Sequence, residues 1–88
     1  MREISIREHD YTCAADLHEA LARELNFPAY DGANLSALND CLTSIALPTR
    51  IVIVRDDSVR AAWFDKMCGV IGRAALENSS LTVLCVNA

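Results

Sequence analysis

Ile51-Val52-Ile53-Val54 is a run of four β-branched residues with no polar interruption. It is too short for a helix, and its composition suits a strand buried on both faces, which favours a parallel sheet. Before it lie two helical patterns. After it lies a third, and the chain then ends in a second nearly continuous apolar run, Leu81-Thr82-Val83-Leu84-Cys85-Val86. At the start, Ile4-Ser5-Ile6 alternates with period two and predicts a first strand over about residues 2–7. Strands separated by helices join through crossovers, so the expected fold is α/β, with a three-stranded parallel sheet packed with helices in the order β-α-α-β-α-β.

The helices are predicted from spacing. Thr12 is placed to cap a helix over about 13–26, whose stripe is Leu17, Leu21 and Leu25 with Ala14 and Ala20. Pro28 ends that pattern, and 26–32 reads as a loop in which Gly32 suits a positive φ. A second helix is predicted over about 33–45 with Leu35, Leu38, Leu42 and Ile45 as its core edge. At about 100° per residue, Ser36, Asn39, Asp40 and Thr43 then share one polar face. Asp56, Asp57 and Ser58 cluster as a helix start. Val59, Trp63, Met67, Val70 and Ala74 recur at helical spacing behind them, predicting one long helix from Ser58 to Glu77, bent or split near Gly69 or Gly72. Those glycines are expected to allow a close helix–sheet contact. Glu8-His9-Asp10-Tyr11 reads as a polar turn, with no partner for His9.

The 88 residues are expected to form one domain, 1–88. Hydrophobic types make up 52% and charged types 23%, enough for a packed core and too apolar for disorder. Lys and Arg number 8 against 12 Asp and Glu, a net charge of -4. That excludes a nonspecific nucleic-acid binder, which needs a basic face. The imbalance is local. Residues 8–49 carry seven acids against one base, whereas 50–88 carry four acids against five bases. An acidic half keeps a protein soluble, and it also suits a basic partner.

Cysteines stand at 13, 41, 68 and 85, with no CxxC or other zinc spacing. The chain opens on a strand pattern without an apolar leader, and no apolar run is long enough to span a bilayer. A reducing cytoplasm is therefore expected, with the cysteines as free thiols: Cys13 packed at a helix start, Cys41 and Cys85 buried. Cys13, Asp16 and His18 lie together, but on one short helix with no oxyanion hole, so no catalytic residue is assigned. His18 is read as a partly exposed polar residue. His9, Asp10, Cys13 and His18 do not form a convergent metal cluster. No GxGxxG or Walker A loop is present. The expectation is a protein with no enzymatic activity, cofactor or metal.

The segment 30–43 is where chemistry concentrates. Tyr30, Asp31, Gly32, Asn34, Ser36, Asn39, Asp40 and Thr43 stand on one loop and one helix face. Such a face suits a cationic, concave partner, because a carboxylate accepts a bidentate arginine as a phosphate does, and tyrosine is a favoured interface anchor.

The pattern Asp16-Leu17-His18, Leu21, Glu24-Leu25, Pro28-x-Tyr30-x-Gly32-x-Asn34-Leu35-x-Ala37-Leu38-x-Asp40-Cys41-Leu42-Thr43 closely resembles the barstar family, without a gap from Asp16 to Thr43. Chain length and element order agree outside that run, while 58–88 match only in general character. The family comprises small intracellular inhibitors of secreted microbial ribonucleases. The resemblance implies a barstar-like fold and a monomeric, immunity-type inhibitor whose loop and helix over 30–43 plug the basic active site of a guanyl-specific ribonuclease. Asp40 matches the family's central phosphate-mimicking aspartate, and Tyr30, Gly32, Asn34 and Thr43 match contact positions.

Departures from the family pattern imply a different target. The flanking aspartate one turn before the central one is Ser36 here. The contacting tryptophan is Asn39. The loop's second tyrosine is Asp31, which would return the charge absent at Ser36. The family's late glutamate has no clear counterpart; that stretch is Gly72-Arg73-Ala74. The alternative these departures leave open is an interaction module on the same scaffold, binding a non-nuclease toxin or other basic partner.

Overall fold

The computed structural model describes residues 1–27 and 34–87. Strand β1 spans Arg2–Arg7 and runs into a 3-10 turn at Glu8–Asp10. Helices α1 (Ala14–Leu25) and α2 (Leu35–Thr43) follow, then β2 (Thr49–Arg55), α3 (Ala62–Glu77) and β3 (Leu81–Asn87). The sheet is parallel and three-stranded, as expected, and its strand order is β1-β2-β3. Register aligns Ile4 with Ile51 and Val83, and Ile6 with Ile53 and Cys85.

Strand β2 differs from its sequence reading in one respect. Its residues are not equally covered: Thr49, Ile51 and Ile53 are buried, while Val52 and Val54 are half-buried. Each crossover steps one strand in the same direction, and right-handed crossovers of that kind bring every helix to one face. The opposite face carries Ser5, Val52 and Leu84 in one row and Arg7, Val54 and Val86 in the next. Leu84 and Val86 are each 45% exposed there.

The core joins Ile6, Ile51, Ile53 and Leu81 of the sheet to Leu17, Leu21 and Leu25 of α1, Leu38 and Leu42 of α2, and Phe64, Met67, Ile71 and Ala74 of α3. The α3 stripe lies beside the predicted one: Phe64 and Ile71 are buried, whereas Trp63 and Val70 are half-buried. The two stripes share Met67 and Ala74, so spacing alone left the phase of the helix open by one residue. Val59 lies outside the helix and is exposed.

The expected start at Ser58 fails because residues 56–60 have their own turn. Asp56 Oδ1 accepts from the Ser58 N–H at 3.0 Å and from its hydroxyl at 2.6 Å, and Arg60 adopts φ 47°. A local aspartate turn has displaced helical hydrogen bonding. The helix begins after Ala61, whose N–H donates to Glu8 Oε2 at 2.9 Å. It then runs unbroken past Gly69 and Gly72. A Cβ at either glycine would meet nothing within 4 Å, so they mark no close helix–sheet contact.

Glu8 is the main departure in the first turn. It is 1% exposed, and its carboxylate accepts from Arg55 Nε at 3.2 Å and the Asp56 N–H at 2.8 Å as well as from Ala61. Arg55 pairs in addition with Asp65 and lies over the Phe64 ring. His9 also has partners: Asp10 at 3.1 Å and Asp56 at 3.7 Å. Helix α1 starts one residue later than predicted, with Cys13 as its exposed cap residue, and Thr12 donates to Asp16 Oδ2 instead. His18 is buried at 2% exposure, not partly exposed. Cys85, toward the C-terminal end of edge strand β3, is exposed, whereas Leu81 at the start of that strand is buried in the core; Cys41 is half-buried.

Candidate functional site

Helix α2 is short, nine residues, and its ends are held by side chains. Asn34 is its N-cap: Oδ1 accepts the Ala37 N–H at 2.8 Å, satisfying one of the free donors of the first turn. At the other end the Thr43 hydroxyl lies 2.8 Å from the Asn39 carbonyl and the Ser44 hydroxyl donates to the Asp40 carbonyl at 2.7 Å. Asn78, just past α3, donates from Nδ2 to the Leu42 carbonyl at 3.0 Å and to the Ile45 carbonyl at 2.9 Å. Inside, Leu38 and Leu42 are fully buried and anchor the helix against the core. Leu35, expected on that core edge, is exposed.

This anchoring presents the opposite face outward. Ser36 and Asp40 are exposed, and Asn39 and Thr43 are half-buried. Asp40 is the only charged residue of α2, and it stands toward the C-terminal end, where the helix dipole disfavours an anion. Its carboxylate makes no ion pair or hydrogen bond with any described residue; only its backbone carbonyl is engaged. The charge therefore faces outward and is unpaired among the described residues, which a purely structural role does not explain.

Asp40 borders two hollows. One, of about 350 Å³, lies between α2 and α3 and is lined by Leu35, Ser36, Asn39, Asp40, Val70 and Arg73. The other, of about 430 Å³, lies on the far side of α2, where Asp40 and Cys41 meet Phe27, Ile45 and Leu47. Burial, with the neighbouring Asp40 carboxylate, pushes the Cys41 thiol above its ordinary pKa. Burial pushes Cys68 up to about 11, so neither sulfur is a ready nucleophile near neutral pH.

Of the residues the sequence singled out, Ser36, Asn39 and Asp40 come together in one groove. Asn34 and Thr43 flank them at the helix ends. Tyr30, Asp31 and Gly32 lie outside the described residues. The sequence reading named Val70 only as part of the α3 stripe and Arg73 only in the stretch without a counterpart to the family's late glutamate; it placed neither in the groove, to which α3 contributes both. Their spacing of three placed them on one helix face, but nothing in it showed that this face meets α2. Among the described residues no group of three or more His, Cys, Asp or Glu side chains is placed to hold a metal ion, and no helix is long and apolar enough to cross a membrane.

The arrangement presents a carboxylate on a ridge between two hollows, with neutral hydrogen-bonding groups beside it. A carboxylate so placed has the chemistry to accept an arginine fork or an ammonium group. Comparison with known proteins places it. The family model described as "Barstar (barnase inhibitor)" matches residues 1–77, and the chain belongs to this family. A relative in Bacillus subtilis (strain 168), named "Putative ribonuclease inhibitor YrdF", is 44% identical over 54 residues, covering 60% of this chain and 59% of that protein. The chain thus matches about three-fifths of the relative's length.

Proposed function

We propose that this chain is a stoichiometric inhibitor of a secreted microbial guanyl-specific ribonuclease. It acts without turnover or cofactor, as a cytoplasmic monomer of the immunity type. The loop and helix over 30–43 cover the basic active site, and Asp40 takes the place of an RNA phosphate. Tyr30, Asp31, Gly32, Asn34, Ser36, Asn39 and Thr43 form the surrounding contact. The observation that carries this reading is the Asp40 carboxylate, exposed on a firmly anchored helix with no partner among the described residues. Membership of the barstar family supports it independently.

The test is titration against a panel of purified guanyl-specific ribonucleases, read as binding and as inhibition of RNA cleavage. Asp40→Ala is expected to weaken binding by about thirtyfold or more, since a charged hydrogen-bonded contact contributes about 2 kcal/mol. Binding is also expected to weaken with salt, because exposed charges are screened beyond a Debye length of about 10 Å at 0.1 M. Equal affinity of Asp40→Ala and parent removes Asp40 from this role, and failure of the parent to bind any of the enzymes overturns the proposal.

A further inference from the structure

The groove between α2 and α3 carries two opposite charges that form no ion pair with each other. Asp40 enters it from α2 and Arg73 from α3. Neither side chain forms an ion pair or a hydrogen bond with any described residue. Arg73 is exposed, whereas Arg50 and Arg55 both pair with carboxylates. The apolar part of the groove comes from Val70, one turn before Arg73, and from Leu35, which is 38% exposed. Ser36 and Asn39 supply neutral hydrogen-bonding groups. When a partner surface seats on such a groove, the apolar wall helps expel water. Charges at the rim are then felt more strongly, and a like charge brought against either of them is penalised.

We infer that Arg73 is a specificity-determining residue of the partner-binding face. It selects a nuclease that presents a carboxylate beside the cation received by Asp40, and it turns away a nuclease that presents a second cation at that point. This rests on the reading of Asp40 given above and deepens it. Asp40 alone would accept any basic active site. The Asp40–Arg73 combination demands a pattern, positive then negative, across one groove. Discrimination of this kind arises as much from the mismatch it creates with wrong partners as from the match with the right one. Long-range attraction is left to the acidic half of the chain, 8–49, while the groove sorts partners by charge order at contact.

The experiment titrates the full chain and its variants against purified secreted guanyl-specific ribonucleases whose active-site rims differ in charge. For a nuclease that the parent binds, Arg73→Ala is expected to weaken binding severalfold and Arg73→Glu by about tenfold or more. Reversing one rim Asp or Glu of that nuclease to Lys is expected to restore binding to Arg73→Glu and weaken it for the parent. Arg73 makes no bond with a described residue, so urea midpoints of both variants should equal the parent's, separating a binding effect from a folding one. If Asp40→Ala weakens binding while Arg73→Glu binds as well as the parent, this inference is overturned and the inhibitor reading stands. If the parent binds none of the ribonucleases, both are overturned.

Discussion

Glu8, in the 3-10 turn that follows β1, accepts the backbone N–H of Ala61 at 2.9 Å, and so holds the N-terminus of α3 from more than fifty residues away in sequence. The same carboxylate takes the Asp56 N–H and Arg55 Nε. One buried acid thereby fixes where the second crossover leaves the sheet, and with it the position of the helix that carries Val70 and Arg73.

Loss of that acid should be costly. Glu8→Ala leaves two backbone donors and the Arg55 guanidinium without their acceptor, and should destabilise the fold by about 3 kcal/mol. The effect has a pH signature. Burial alone would raise the Glu8 pKa, but the Asp56 and Ala61 N–H groups and Arg55 outweigh it and hold the carboxyl below its ordinary value near 4.5. A depressed folded pKa adds stability above the unfolded value and loses it as pH falls through the folded one. Urea midpoints of the parent should therefore decline below about pH 4.5, and those of Glu8→Gln should decline less.

His18 titrates in a separate window. Burial holds its imidazole below the ordinary value near 6.5. As pH falls through that value the unfolded chain takes up a proton that the folded protein resists, so the unfolded state binds more protons and stability drops. The parent should lose stability from about pH 6.5 downward, before the Glu8 window opens. His18→Gln should flatten this upper part of the profile, as measured by urea unfolding across pH.

Asn34 should matter through its carboxamide oxygen. Asn34→Ala removes the acceptor for the Ala37 N–H and should cost about 1 kcal/mol, while Asn34→Asp, which keeps the acceptor, should cost little. Thermal unfolding of the three proteins checks this order.

The other end of α2 depends on a residue distant in sequence. The Asn78 amide donates to the Leu42 and Ile45 carbonyls, and its Oδ1 accepts the Ser80 N–H at 3.0 Å. Asn78→Asp keeps the Ser80 bond but sets a carboxylate against the carbonyls at the negative end of the helix. It should be at least as destabilising as Asn78→Ala, at about 2 kcal/mol. Chemical denaturation of both variants decides it. Equal stability of Asn78→Asp and parent would show that the amide donors contribute nothing.

Strand and helix existence, their order and the parallel sheet were legible in residues 1–88, because apolar spacing reports directly on which side of an element is buried. The polar face of α2 was legible for the same reason: Leu38 and Leu42 face the core, so Ser36 and Asp40 face away from it. Periodicity does not report on polar groups that are buried by pairing. Glu8 read as part of a polar turn, and its role as an anchor depends on Arg55 and the Asp56 and Ala61 backbones, which converge on it from about fifty residues away. The one-residue phase of α3 was likewise undetermined, since Trp63, Phe64, Val70 and Ile71 are apolar on adjacent arcs.

Local chemistry thus determined that this chain folds as helices on a parallel sheet and turns Asp40 outward, because hydrophobic spacing and helix geometry are properties of neighbours in sequence. The company that Asp40 keeps was decided by tertiary packing alone. Val70 and Arg73 stand beside it because α3 packs on α2, and no residue near Asp40 in the sequence carries that information.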